Sequence, residues 1–123
     1  MSMYPPLFQW VAASTAAKAV LGSSPVRFWP FGKAPQDEAR PYAVHQLAYG
    51  APENTLACAP DSDTFGVQID AYALDVTQAR AVAAVLRDTL QPHGYITAWN
   101  GEFFEQDTKL YRVSFTVEFI INR

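Results

Sequence analysis

The sequence predicts an α+β domain: an antiparallel sheet of four to five strands with two helices packed mainly on one face. Three observations predict it. Near the C-terminus, Tyr111, Val113, Phe115, Val117, Phe119 and Ile121 alternate with Arg112, Ser114, Thr116, Glu118 and Asn122, the period of a half-buried antiparallel strand. Between residues 75 and 90, Ala79, Val82, Ala83, Leu86 and Leu90 form a narrow apolar stripe at helical spacing, leaving Arg80, Arg87, Asp88 and Gln91 for solvent. Near the N-terminus, Leu7, Trp10, Ala13, Ala17, Val20 and Leu21 make the apolar face of another helix.

In chain order, the first helix is expected from Pro5 to Leu21. Two prolines suit its start, and Gly22 stands where a left-handed C-cap is wanted, before Ser23-Ser24-Pro25. Val26 to Trp29 is a short strand of bulky residues. Pro30, which cannot donate to a ladder, places it at an edge or a strand end. Gln36 to Arg40 is a polar connection. Pro41 to Tyr49 reads as a second strand, fairly apolar on both faces, and Gly50 to Asp63 as a long loop without a clear period. Thr64 to Leu74 is a third strand, in which Phe65, Val67, Ile69, Ala71 and Ala73 alternate with Gly66, Gln68, Asp70, Tyr72 and Leu74. Asp75, with Gln78 three residues on, opens the second helix as a variant capping box, and Pro92 and Gly94 end it. After the strand Tyr95 to Trp99 two turns compete: Asn100-Gly101, a type I′ hairpin signal, and Gln106 to Lys109. One long hairpin about the second turn and a tighter meander using both stay open.

The 123 residues are expected to form a single domain, 1–123. Half of them are hydrophobic and 17% are charged, against about 25% in ordinary soluble domains. A monomer with so few charges is expected to expose apolar surface, which marks a partner. The net charge of −3 and the scattered basic residues argue against a nucleic-acid binder, whose affinity rests on Lys and Arg at phosphates. No signal peptide and no apolar run of bilayer length is read, so a cytoplasmic or particle-borne protein is expected. Cys58 is the lone cysteine, so no disulfide forms within the chain.

No catalytic constellation is legible. His45 and His93 are the only histidines and stand far apart, and Asp61 and Asp63 lack the glycine and distal glutamate of a calcium loop, so no metal is expected. No Gly-x-Ser-x-Gly elbow is present, and Ser23 and Ser24 read as turn residues. The glycines are isolated, so no phosphate loop exists. No cofactor and no catalytic residue is assigned.

Two aromatic groups carry more information. Phe28, Trp29 and Phe31 gather beside prolines, and Trp99, Phe103 and Phe104 flank Asn100-Gly101. Core packing is the plain explanation; the functional one is a pair of anchor patches at a protein interface. Glu102, Glu105 and Asp107 cluster near a turn and read as a solvated face.

Several stretches together make the chain resemble the small tail-completion proteins at the head–tail junction of long-tailed phages. They are the N-terminal helix running into Phe28-Trp29-Pro30 with Ala34-Pro35-Gln36 beyond, and Arg40-Pro41-Tyr42-Ala43-Val44. The third is Val67-Gln68-Ile69-Asp70-Ala71-Tyr72-Ala73 leading through Gln78-Ala79-Arg80 into the helix to Leu90, and the closing Tyr111-Arg112-Val113-Ser114-Phe115 also fits. The likeness spans nearly the whole chain, and the long Gly50 to Asp63 loop departs from it. It implies a non-enzymatic structural protein of the virion tail or neck, assembled in the host cytoplasm. The implied partners are further copies of itself in a ring, commonly of six, a tail tube protein and a head connector, with DNA passing through the lumen unbound.

On that footing, low charge and exposed aromatics suit heterologous ring contacts, free strand edges pair between neighbours, and Glu102, Glu105 and Asp107 are candidates for an acidic lumen lining. The rivals are a ferredoxin-like enzyme or small-ligand domain, with a pocket lined by Trp10, Tyr72 and His45, and a monomeric phage assembly adaptor or chaperone.

Overall fold

The computed structural model describes residues 4–35, 41–53 and 62–123. Among these described residues five strands form one mixed sheet in the order β1-β2-β3-β5-β4: β1 Phe28–Pro30, β2 Tyr42–Pro52, β3 Ser62–Ala73, β4 Tyr95–Glu105 and β5 Leu110–Asn122. Three helices, α1 Leu7–Ala12, α2 Thr15–Leu21 and α3 Val76–Leu90, gather on one face, and a short 3-10 turn, Gln91–His93, follows α3. The α+β class with helices on one face is therefore as the periodicities predict.

The N-terminal helix is split in two. Ser14 leaves the helical conformation and its Oγ accepts from the Ala17 amide, so it caps α2 and ends the single run expected from Pro5 to Leu21. The expected apolar face is kept at Leu7, Ala17 and Leu21, which are buried, but near the break Ala13 is exposed and Val11, outside that face, is buried instead. The Asp75 cap is present as read: its Oδ1 accepts from the Gln78 amide at 2.8 Å.

The sheet also differs in its first strand, which pairs with β2 in parallel, Phe28 opposite Ala43 and Pro30 opposite His45. The other pairings are antiparallel. Pro30 ends β1 after three residues, as its missing donor requires.

The expected loop from Gly50 to Asp63 is shorter. Gly50 to Pro52 complete β2 and Ser62 and Asp63 begin β3, paired Pro52 to Asp63 across the hairpin. Residues 54–61, which include Cys58, lie outside the described residues, as do residues 36–40 of the polar connection and residues 1–3. Asn100-Gly101 is not a turn. β4 runs through it to Glu105 with a register shift between Trp99 and Gly101, and Gly101 takes φ +122°. That is a bulge, where glycine supplies the backbone that side chains resist. The chain reverses at Gln106 to Lys109, so the one-long-hairpin alternative holds.

The core lies between α3 and the sheet. Val67, Ile69 and Ala71 of β3 and Val113, Phe115, Val117 and Phe119 of β5 meet Ala79, Val82, Ala83, Leu86 and Leu90, all buried. Among the described residues the opposite face carries no helix. Its central side chains are Gln68, Asp70, Tyr72, Arg112, Ser114 and Thr116, the other half of each alternation.

Candidate functional site

Three of the grooves formed by the described residues bear on function. The first, of about 310 Å³, lies between α3 and β4, with Ala83, Ala84, Val113 and Trp99 below and Arg80, Arg87 and Glu102 at the rim. It exists because α3 lies over β3 and β5 and stops short of β4. The second, of about 570 Å³, lies beside β1 under Tyr4 to Gln9 and ends at His45. The third, of about 520 Å³, is on the open face, between the turn at Phe31 and Gly32 and the side chains of Tyr42, Asp70, Tyr72 and Glu105.

The second groove is apolar, and its electrostatics follow from that. His45 lies against the Phe28 ring, centroids 4.8 Å apart, and its Nδ1 meets the Tyr4 hydroxyl at 3.1 Å. Burial pulls the His45 pKa from 6.5 to about 4 and pushes Tyr4 up to about 12, so both stay uncharged near neutrality. A neutral imidazole bonded to a neutral phenol fastens the N-terminal segment to the sheet. It offers no charged acid or base.

On the open face, Arg112 ties three strands together. It donates to Asp70 at 3.3 Å and Glu105 at 3.0 Å, and its guanidinium lies 4.3 Å from the centre of the Phe103 ring. Burial pulls the Arg112 pKa down, but the Asp70 charge outweighs it with the help of Tyr72 and Glu105, and the net shift is upward. Burial pushes Tyr72 up to about 12, the Asp70 charge adding to it, and Tyr72 stacks on Tyr42 with centroids 5.0 Å apart. Beside them the Asn100 amide donates to the Ser114 and Thr116 hydroxyls at 3.2 and 2.9 Å. Further along, Tyr49 lies flat across Gly66, where a Cβ would collide with its ring, and donates to Glu118 at 2.8 Å. That bond, ahead of burial, raises the Tyr49 pKa.

The candidate interface aromatics separate into classes. Phe28 is 1% exposed and belongs to the core, so it leaves the anchor patch: in β1 it points toward the helices. Trp29 is half-buried, and its Nε1 has no hydrogen-bond partner among the described residues. Phe31, 63% exposed, is free of the core. Trp99, Phe103 and Phe104 are all exposed but occupy both faces of β4. Trp99 pairs with Phe115 and Phe104 with Tyr111 on the helix side, while Phe103 pairs with Arg112 on the open side. They flank a bulge, not a turn, and lie along a free sheet edge.

The three acidic candidates do not form one surface. Glu102 turns to the helix side and receives both ends of the Arg80 fork, at 2.5 and 2.8 Å, a bond that lowers its pKa. Glu105 turns to the open side and pairs with Arg112. Asp107 is exposed in the turn. Adjacent positions on a strand point to opposite faces, which proximity in sequence hides. Tyr72, Trp10 and His45 likewise share no pocket. Tyr72 is on the open face, Trp10 stacks on His93 at 4.0 Å, and His45 lies under Tyr4. The small-ligand pocket expected from those three is thus not assembled.

Sequence reading missed Arg112 as the hub of the open face. The available signal was a cation opposite Tyr72 and diagonal to Asp70 on paired strands, visible only once the register of β3 and β5 is known. Among the described residues no group of three His, Cys, Asp or Glu is placed to hold a metal ion, and no helix is long and apolar enough to cross a membrane.

The model of a family described as tail completion protein gp17 matches residues 5–122. No curated protein matches the sequence. Among solved structures, a chain from the virion of a native gene transfer agent particle superposes with a TM-score of 0.74. Identity is 12%, and the alignment covers 95% of this chain and 92% of that one. At that identity the likeness is one of fold.

Proposed function

We propose that this chain, which belongs to the tail completion protein gp17 family and is a structural phage tail protein, works without catalysis as one subunit of a closed ring. The ring, six subunits being the expected number, completes the tail and joins the tail tube to the head connector, and DNA passes through its lumen unbound. One observation carries this reading: both ends of the sheet are open and sticky. β4 is an edge of 11 residues with no strand beyond it among the described residues, and it exposes Tyr95, Trp99, Phe103 and Phe104. At the other end β1 covers only Ala43 to His45, so among the described residues the rest of β2 is a second edge, with Leu47 and Tyr49 exposed. β4 carries neither Lys nor Pro, and long edges of that kind are what monomers avoid; the β2 edge has a proline only at its far end, Pro52. Two different edges on one subunit give the head-to-tail contact a ring needs. The net charge of −3 gives the chain no overall positive charge to attract DNA.

The test is electron microscopy and native mass spectrometry of the purified full chain. A closed ring of one stoichiometry is expected, and a monomer at every concentration overturns the reading.

A further inference from the structure

We propose that the groove between α3 and β4 of one subunit receives the distal end of β2 and the residue after it, Gly50 to Glu53, of a second copy, with Glu53 seated on the guanidinium of Arg87. This rests on the ring reading and specifies its contact.

The receiving side is built from an apolar floor and an unfinished charge. Ala83, Ala84, Val113 and Trp99 leave a groove of about 310 Å³, and Trp99 is 52% exposed above Phe115. The two arginines at its rim are not equivalent. Arg80 spends its Nε and one outer nitrogen on Glu102. Arg87 donates only through Nε, to the adjoining Asp88, and its two outer nitrogens bind nothing among the described residues. A guanidinium fork with open donors is a seat for a carboxylate.

The incoming side is matched in charge and in shape. From Pro41 to Ala79 the chain has no Lys or Arg but carries Glu53, Asp61, Asp63, Asp70 and Asp75. Three of these are engaged within the subunit: Asp63 by Arg123, Asp70 by Arg112 and Asp75 by the α3 amide it caps. Among the described residues Glu53 accepts only from the Thr64 hydroxyl, and it is exposed. Before it come Gly50, Ala51 and Pro52, small residues exposed along the free edge of β2, which suit a floor of alanines.

Position in the sheet agrees. The β2 edge and the β4 side stand at opposite ends of the strand order. Each subunit therefore gives at one end and receives at the other, and neither surface is used twice.

The experiment is a charge swap on the full chain, read by sedimentation velocity and native mass spectrometry at low and high NaCl. Glu53→Lys and Arg87→Glu each lie on the surface, and circular dichroism checks that each variant folds. Each reversal alone is expected to weaken association at least roughly tenfold, since like charges then face each other. The double variant E53K/R87E is expected to recover it, and raised salt to weaken the wild type. Wild-type assembly with both single variants assembling equally well overturns this contact and leaves the ring standing. A wild type that never assembles overturns the ring reading and the contact with it.

Discussion

The two faces of this one sheet obey different rules. The helix side is apolar throughout its centre: Val67, Ile69, Phe115, Val117 and Phe119 meet α3 with no polar side chain between them. On the open side no helix among the described residues excludes water, yet Ser114 and Thr116 are buried there. Polar neighbours cover them: the Asn100 amide bonds both hydroxyls, and Arg112 spans Asp70, Glu105 and Phe103. A face left without a helix can thus be closed by a satisfied polar network. It keeps a solvated surface while the apolar anchors shift outward to the edges.

The comparison predicts a graded response to substitution. Phe115→Ala, on the covered face, is expected to cost about 3–5 kcal/mol in chemical denaturation, because a wholly buried ring leaves a cavity under α3. Arg112→Met, on the open face, is expected to cost about 2 kcal/mol, since Asp70 is then buried without its cation while Arg112 itself reaches water. If the two variants prove equal, the faces are not built differently. His45 adds a pH dependence from the covered side. Its folded pKa, about 4, lies below its unfolded value of 6.5, so the unfolded chain binds the proton first. Stability is full above pH 6.5 and falls as pH drops toward 4, by something of the order of 2 kcal/mol at this partly open site. His45→Gln is expected to flatten thermal stability over that window. Asn100→Ala is expected to cost about 1 kcal/mol through two lost hydrogen bonds. Glu102→Gln, at a fully exposed pair, is expected to leave the melting temperature unchanged.

Much of this fold was legible because alternation and helical spacing report burial directly. β3, β5 and α3 stand where their patterns put them, and Asp75 caps as its position required. What was not legible depends on partners distant in sequence. Ser14 breaks the first helix where the apolar spacing runs on, and beside it Ala13 of the expected face is exposed while Val11 is buried. Asn100-Gly101 has the composition of a hairpin turn, but the pairing of Trp99 with Phe115 and Gly101 with Ser114 makes it a bulge inside an edge strand. Phe28 looked like its neighbours Trp29 and Phe31, yet a strand sends alternate residues to opposite faces, and Phe28 took the inner one. The same alternation separated Glu102 from Glu105. Aromatic content pointed to contact surfaces; only the strand order showed that the exposed members lie at the sheet edges.

The account turns on those edges, and hydrogen exchange reads them most directly. Amides of residues 95–105 and 46–53 are compared between the assembled protein and monomer obtained by dilution. Protection of both segments by tenfold or more in the assembly alone is the predicted result. Unchanged exchange at both, with protection appearing on α1 instead, would contradict the claim that this domain assembles through the ends of its sheet.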